Sequence, residues 1–221
     1  MATARVRFTA QDRRHQILEV ASQLFARQGF NGTTTRHIAQ ASRVNEALIF
    51  RHFPSKEDLY WAVIEEKCKV ATWQEDLQAR LASGKSDREI FQGIAADILD
   101  RRRKDSSLSR LLLFSALESH TLSERFFRTQ VARYFELLAG YIAGRIREGG
   151  FREVDPMLAA RGFLGMINNY FQVQELFGGK RHQQYDDAEA TAVLTDLWLN
   201  GMVVSGSSGN NGGIHRKRVG K

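Results

Sequence analysis

One cysteine and two prolines stand in 221 residues. The lone Cys68 rules out an intramolecular disulfide, so the fold rests on its apolar core, and a reducing interior is its natural compartment. Pro54 and Pro156 both sit where helices open, and strands have little support. No apolar stretch approaches the roughly 18 residues of a membrane span, and no N-terminal run has signal-peptide length. A soluble, cytoplasmic protein with no membrane partner is expected. Also missing are His-Glu-x-x-His, a glycine-rich phosphate loop, Gly-x-Ser-x-Gly and a cysteine pair at metal spacing. No enzyme, no metal and no cofactor are expected, because catalysis would have to come from dispersed residues.

Apolar residues, 43% of the chain, are enough for one large or two small domains, and two fit better. Charge is unevenly spread: residues 1–60 hold nine basic and five acidic groups, residues 205–221 four basic and none acidic, and the middle nineteen and twenty. Positive ends suit contact with phosphate, whereas a near-neutral middle suggests a different task. The expected division is a flexible basic arm (1–12, with Arg5 and Arg7), a compact unit (13–60), a helical domain (61–204) and a disordered basic tail (205–221). The tail opens with Ser205-Gly-Ser-Ser-Gly-Asn-Asn-Gly-Gly213, a linker composition.

The compact unit is the most informative. Residues 13–29 place Ile17, Leu18, Ala21, Leu24 and Phe25 at helical spacing, with Gly29 as the stop. Thr34 caps a short second helix, 35–41, whose Ile38 and Ala41, three apart, share its buried face. Ser42-Arg43 is the turn, and Val44, Leu48 and Ile49 pack a third helix that leaves Asn45, Glu46, Ala47, Phe50 and Arg51 outward. Pro54 disfavours helical geometry at Phe53, and Ser55-Lys-Glu-Asp58 opens the next helix in the manner of a capping box. Such a helix-turn-helix pair can place its second helix in the DNA major groove.

With its Gly29-Phe30, Thr33-Thr34, Ile38-Ala39, Phe50 with Phe53, and Lys56, the unit resembles the DNA-binding domain of the TetR family of bacterial transcriptional regulators. The correspondence runs without a gap from Arg13 to Leu59. The resemblance implies DNA contacts from Thr35 and Arg36, from Glu46, Ala47 and Phe50 at base edges or the groove wall, from Arg51 and His52 near phosphate, and from Lys56 directly on phosphate. Two departures fall where sequence is read. Arg43 occupies the turn where the family usually has glycine, so a residue with a side chain must take the turn's backbone angles. Glu46-Ala47-Leu48-Ile49-Phe50 replaces the frequent Lys-Gly-Thr-Leu-Tyr, losing a cation, a hydroxyl and a phenol. Glu46 can accept from a cytosine amino group, and Ala47 or Phe50 can touch a thymine methyl.

Beyond Lys56 the sequence reads as helices over about 56–82, 87–103, 107–119, 123–148, 156–177 and 187–203. The resemblance implies an all-α chain: a three-helix DNA-binding unit followed by a larger domain for ligand binding and dimerisation. Its pocket would be walled by Trp73, Phe91, Leu112, Phe114, Tyr134, Tyr141 and Phe171, with Arg110, His120, Asn168 and Gln172 as polar anchors. Its dimer interface would use Gly162, Gly165 and Met166 with Val193, Leu194, Leu197 and Trp198. The function so implied is a homodimeric, sequence-specific regulator, most often a repressor released from a near-palindromic operator in double-stranded DNA by a small-molecule effector. The alternatives are a sequence-tolerant DNA-coating protein without a pocket, and a helical enzyme.

Overall fold

The computed structural model describes residues 9–68, 70–118 and 120–204, though not the side chains of 68, 70, 71, 120–122 and 130. The basic arm (1–8), the tail (205–221) and the side chains of Cys68 and His120 therefore lie outside the described residues. Eleven α-helices account for most of the described chain, and the one β-type contact is an isolated bridge between Phe151 and Val203.

Helix α1, Ala10–Gln28, starts three residues earlier than its apolar pattern predicts. The Thr9 hydroxyl accepts from the Asp12 amide, while the Asp12 carboxylate accepts from the Thr9 amide, a capping box whose first residue precedes any apolar periodicity. Helices α2 (Thr35–Ala41) and α3 (Glu46–His52) match the expected bounds, although Ala39 rather than Ala41 is buried beside Ile38; they are capped by Thr34 and by Asn45, whose Oδ1 accepts from the Leu48 amide at 2.8 Å. Helix α4, Lys56–Cys68, opens with Ser55 accepting from the Asp58 amide at 3.0 Å, and α5 covers Val70–Leu81.

Helices α6 (Asp87–Lys104), α7 (Ser107–Glu118), α8 (His120–Phe126), α9 (Ala132–Arg147), α10 (Pro156–Phe171) and α11 (Asp187–Met202) form the larger part. The two long helices expected over 123–148 and 156–177 are each interrupted by a wider π turn, at Phe127–Val131 and Gln172–Leu176. Neither π turn contains a glycine or proline to mark a break, and a single inserted residue leaves the composition helical on both sides.

Two cores organise the molecule. The first gathers Ile17, Phe25, Ile38, Ile49, Phe53 and Tyr60, and extends past residue 60 to Leu111 of α7 and Phe126 of α8. The second is aromatic: Phe91, Phe151 and Phe163 surround Trp198, whose indole N–H donates to the Ala159 carbonyl at 3.2 Å. Helix α10 packs on α9, and α11 on α6. The first core thus crosses from the DNA-binding unit into the larger domain through α7 and α8.

Candidate DNA-binding surface and ligand cavity

The reading helix is fixed from beneath. Ile49 is fully buried and Phe53 nearly so, which leaves Ala47, Phe50 and Arg51 outside; Phe50 is 45% exposed. Phe50 therefore stands with Ala47 and Arg51 on the outward face of this seven-residue helix. Arg36 is also exposed, at the start of α2, while His52 is half-buried with its ring 6.2 Å from that of Phe53. Thr35 and Glu46 are tied to each other: the Thr35 hydroxyl donates to Glu46 Oε1 at 2.5 Å, joining the first residues of the two helices. The Glu46 carboxylate thereby already holds an intramolecular partner.

The turn between the helices confirms the departure at Arg43. Its φ is 53°, in the left-handed region, and among the described residues it is the one non-glycine residue with positive φ. The turn closes through the Val44 amide on the Ala39 carbonyl at 3.0 Å, and Gln16 of α1 donates to the Ser42 carbonyl at 3.1 Å.

Lys56 has a different employment from the one its position suggests. Its ammonium donates to the carbonyls of Phe30 (2.9 Å) and Thr33 (3.0 Å) and lies 4.0 Å from the centroid of the Phe30 ring. Glu118, at the end of α7, holds the same loop from the other side, accepting from the amides of Phe30 (2.6 Å) and Asn31 (3.1 Å). A side chain at Gly29, whose φ is 74°, would strike the Glu118 carboxylate at 2.3 Å. Gly29 is thus favoured by its left-handed φ as well as by the helix stop, and a side chain there would have to displace the Glu118 carboxylate from the loop. The segment from Gly29 to Thr34 sets where α2 begins, so a lysine and a glutamate fix the helix-turn-helix by its backbone.

Behind this surface lies a cavity of about 950 Å³. Trp73, Leu112, Tyr134, Asn168 and Gln172 line it as expected, together with Leu108, Val131, Phe135 and Leu164. Five anticipated positions lie elsewhere. Phe91 is fully buried against Trp198 in the second core. Tyr141 donates to Asp87 at 2.6 Å beside the Arg145 guanidinium. Arg110 Nε donates to the Ala26 carbonyl at 2.8 Å, at the end of α1. Phe171 is 1% exposed beneath Arg102, and Phe114 is half-buried away from the wall. Helical spacing marks an inward face without distinguishing packed neighbours from a void.

The sequence reading missed the wall contributed by α1, where Leu18 and Ser22 face the cavity, and the basic residues at the end of α6. Ser22 is buried and its hydroxyl has no hydrogen-bond partner among the described residues. Arg101 and Arg102 belong to the run Arg101-Arg-Arg-Lys104, which reads in sequence as an ordinary basic helix end. Tyr134 is pushed up to about 12, first by burial, with Arg101 opposing.

Helix α7 serves both regions. Leu108 and Leu112 face the cavity, Leu111 is fully buried in the first core, and the Leu111 carbonyl accepts from the buried Tyr60 hydroxyl at 2.7 Å. Arg110 and Glu118 then reach the end of α1 and the following loop.

A third surface lies on α10 and α11. Leu158 (66% exposed), Gly162, Gly165, Val193 (51%) and Leu197 (61%) are open to solvent, and a Cβ built at either glycine would meet nothing within 4 Å. Met166 and Leu194 are half-buried against the second core, and Trp198 is 8% exposed inside it. Trp198 is therefore intramolecular core, and Leu158, absent from the sequence reading, joins the exposed stripe.

Residues 17–63 match the model described as bacterial regulatory proteins, tetR family, and residues 95–196 match the AefR-like transcriptional repressor C-terminal domain. The nucleoid occlusion factor SlmA of Haemophilus influenzae is 28% identical over 169 residues, covering 74% of this chain and 75% of that protein. Among solved structures, FadR from Bacillus subtilis in complex with stearoyl-CoA shares the fold at a TM-score of 0.69 and 20% identity, over 85% of this chain and 98% of that one. AibR, solved with isovaleryl coenzyme A and operator DNA, has a TM-score of 0.65 and 22% identity over 84% and 97%. With both halves matched in order along one all-α fold, the chain belongs to the TetR family of bacterial regulatory proteins.

Proposed function

We propose that this protein is a cytoplasmic, homodimeric, sequence-specific transcriptional regulator, a repressor that leaves its operator when a small apolar molecule fills the cavity, and that it is no enzyme. The observation that carries this reading is α7: one face lines a cavity of about 950 Å³ while its Arg110 and Glu118 hold the end of α1 and the loop that starts the helix-turn-helix. A change in the cavity that shifts α7 must move or release that loop. Ligand entry shifts the balance between DNA-competent and incompetent arrangements only by its differential affinity for the two. The reading is also supported by FadR and AibR, each solved with an acyl-coenzyme A.

On DNA, Ala47 and Phe50 face base edges, Arg36, Arg51 and His52 meet phosphate, and the Thr35–Glu46 pair presents its remaining oxygens at the groove. Lys56 acts through the loop whose carbonyls it holds. The stripe of Leu158, Gly162, Gly165, Val193 and Leu197 pairs with its copy, and the two reading helices then lie about 34 Å apart, one DNA turn, over a near-palindromic site. Similarity to SlmA, a nucleoid occlusion factor, favours a second reading, a DNA-coating role tolerant of sequence. Selection of bound duplexes from random DNA decides between them. Enrichment of a near-palindrome is expected, and recovery of no preferred sequence at fixed salt overturns the specific regulator.

A further inference from the structure

Five basic residues stand in the cavity wall: His15, Lys67, Arg101, Arg102 and Lys104. Four have a carboxylate within 4 Å. His15 is 3.9 Å from Glu66, Lys67 2.5 Å from Asp105, Arg101 3.9 Å from Asp76, and Lys104 2.7 Å from Asp100. Arg102 has none among the described residues. Its guanidinium lies 5.4 Å from the centroid of the Phe171 ring, which is itself 1% exposed.

Burial, and after it the neighbouring Arg101 charge, pushes the Arg102 guanidinium down to about 10. It remains a cation at neutral pH, half-buried and with no carboxylate within 4 Å among the described residues. Such a group destabilises a fold unless it is paired and hydrogen-bonded. Packing alone does not account for it either, because an uncharged side chain of similar length would cover Phe171 without that penalty. The same wall offers the Tyr134 hydroxyl and the side-chain amides of Asn168 and Gln172, while Leu108, Val131 and Leu164 make the rest of the wall apolar.

We infer that Arg102 is the anion-binding residue of this cavity, and that the effector is an organic anion: a carboxylate or phosphate carried on an apolar body. The inference rests on the reading of the cavity as the effector site. The guanidinium fork takes two anion oxygens, and Asn168 or Gln172 donates to a remaining lone pair. The apolar body lies along Leu108, Val131 and Leu164. A neutral ligand of the same shape would leave the charge unpaired, so the cavity selects for the anion as well as for the hydrocarbon.

The test uses the full chain and three probes with one hydrocarbon tail: dodecanoate, dodecanoyl-coenzyme A and dodecanol. Calorimetric titration of the wild type should show dodecanoate or the thioester binding about 10- to 100-fold tighter than the alcohol, the range expected for hydrogen bonds to a charged group. Preference for dodecanoate assigns a carboxylate at Arg102, and preference for the thioester alone assigns a phosphate. Arg102→Met should erase the preference while leaving dodecanol affinity unchanged, and Arg102→Lys should keep part of it. Equal binding of acid, thioester and alcohol by the wild type, or an intact preference in Arg102→Met, overturns the inference.

A second readout needs no ligand. Removing an unpaired, half-buried charge should raise the melting temperature of Arg102→Met by about 2–4 °C. A fall of that size would make Arg102 a structural cation and overturn the proposal, and this arm decides the matter if none of the probes binds. The two readings also fail separately. If dodecanol releases operator DNA as well as the anions do, the anion site falls and ligand-driven release stands; if an anion binds through Arg102 without releasing DNA, the reverse holds.

Discussion

The DNA-binding unit and the cavity-bearing domain are both helical, yet they are held by different means. In the first, each short helix has a named cap, and backbone groups between helices are satisfied by side chains: Gln16 on Ser42, Lys56 on Phe30 and Thr33, Glu118 on Phe30 and Asn31. In the second, packing of large aromatics around Trp198 supplies the rigidity, and beside that packed region α5 to α10, with α1 and α4, enclose a void with two π turns contributing to its wall. A reader of DNA must hold a few side chains at fixed positions, so its backbone is pinned by directional bonds. A receptor for a small molecule must leave unfilled volume, and its rigidity is moved to one side of that volume. Helix α7 belongs to both regions.

The sharpest way to break this contrast is to exchange the roles of two aromatics. Phe91→Ala removes a fully buried ring from the Trp198 cluster and should lower unfolding stability by about 3–5 kcal/mol in denaturant titration. Trp73→Ala, at the cavity wall, should cost well under half of that and change ligand affinity instead. Similar losses from the two substitutions would mean that the void is closed by packing in solution.

That pair also shows where sequence reading stops. Phe91 and Trp73 both occur at helical spacing on amphipathic helices, and nothing local separates them. The caps at Thr34 and Ser55, the break at Pro54 and the inward Ile38 and Ile49 are legible because each depends on residues within four positions of one another. The capping box at Thr9 was equally local but preceded the apolar pattern that drew attention. The cavity wall draws on eight α-helices, so its members are set by tertiary contacts that periodicity does not contain. Arg102 illustrates the limit: its sequence neighbours are also cations, and only the position of each carboxylate tells it apart from Arg101 and Lys104.

Next in size is the brace on the loop after α1. Lys56→Met removes two charge-assisted bonds to carbonyls and should cost about 1.5–3 kcal/mol, with DNA affinity falling as the start of α2 loosens. Arg36→Ala should weaken DNA binding by a comparable factor with the melting temperature unchanged. If Lys56→Met weakens DNA binding without altering stability, the lysine contacts phosphate directly and the brace is secondary.

Glu118→Gln tests the other side of the same loop. The amide oxygen still accepts from Phe30 and Asn31, but without the carboxylate charge, so a smaller cost of about 1 kcal/mol is expected. Operator affinity of the ligand-free protein should change little, whereas the ligand concentration needed for half-release should shift several-fold in fluorescence anisotropy. An unchanged release curve would remove Glu118 from the coupling path and leave α4, continuous with the first core, to carry it.

The smallest expected effect concerns the turn itself and separates backbone from side chain. Arg43 sits at a φ of 53°, where a residue with a Cβ costs about 1–2 kcal/mol more than glycine. Arg43→Gly relieves that strain but raises the entropy of the unfolded chain by an opposing ~0.4–1 kcal/mol, so its net stability should lie within about 1 kcal/mol of the wild type. Arg43→Ala keeps the strain and removes the guanidinium, and should be less stable than Arg43→Gly. Thermal denaturation of the two side by side isolates the backbone term, since neither carries the charge. Equal stabilities would mean that the turn relaxes out of the left-handed region when the arginine is lost, and that the arginine side chain, rather than the fold around it, holds the turn there.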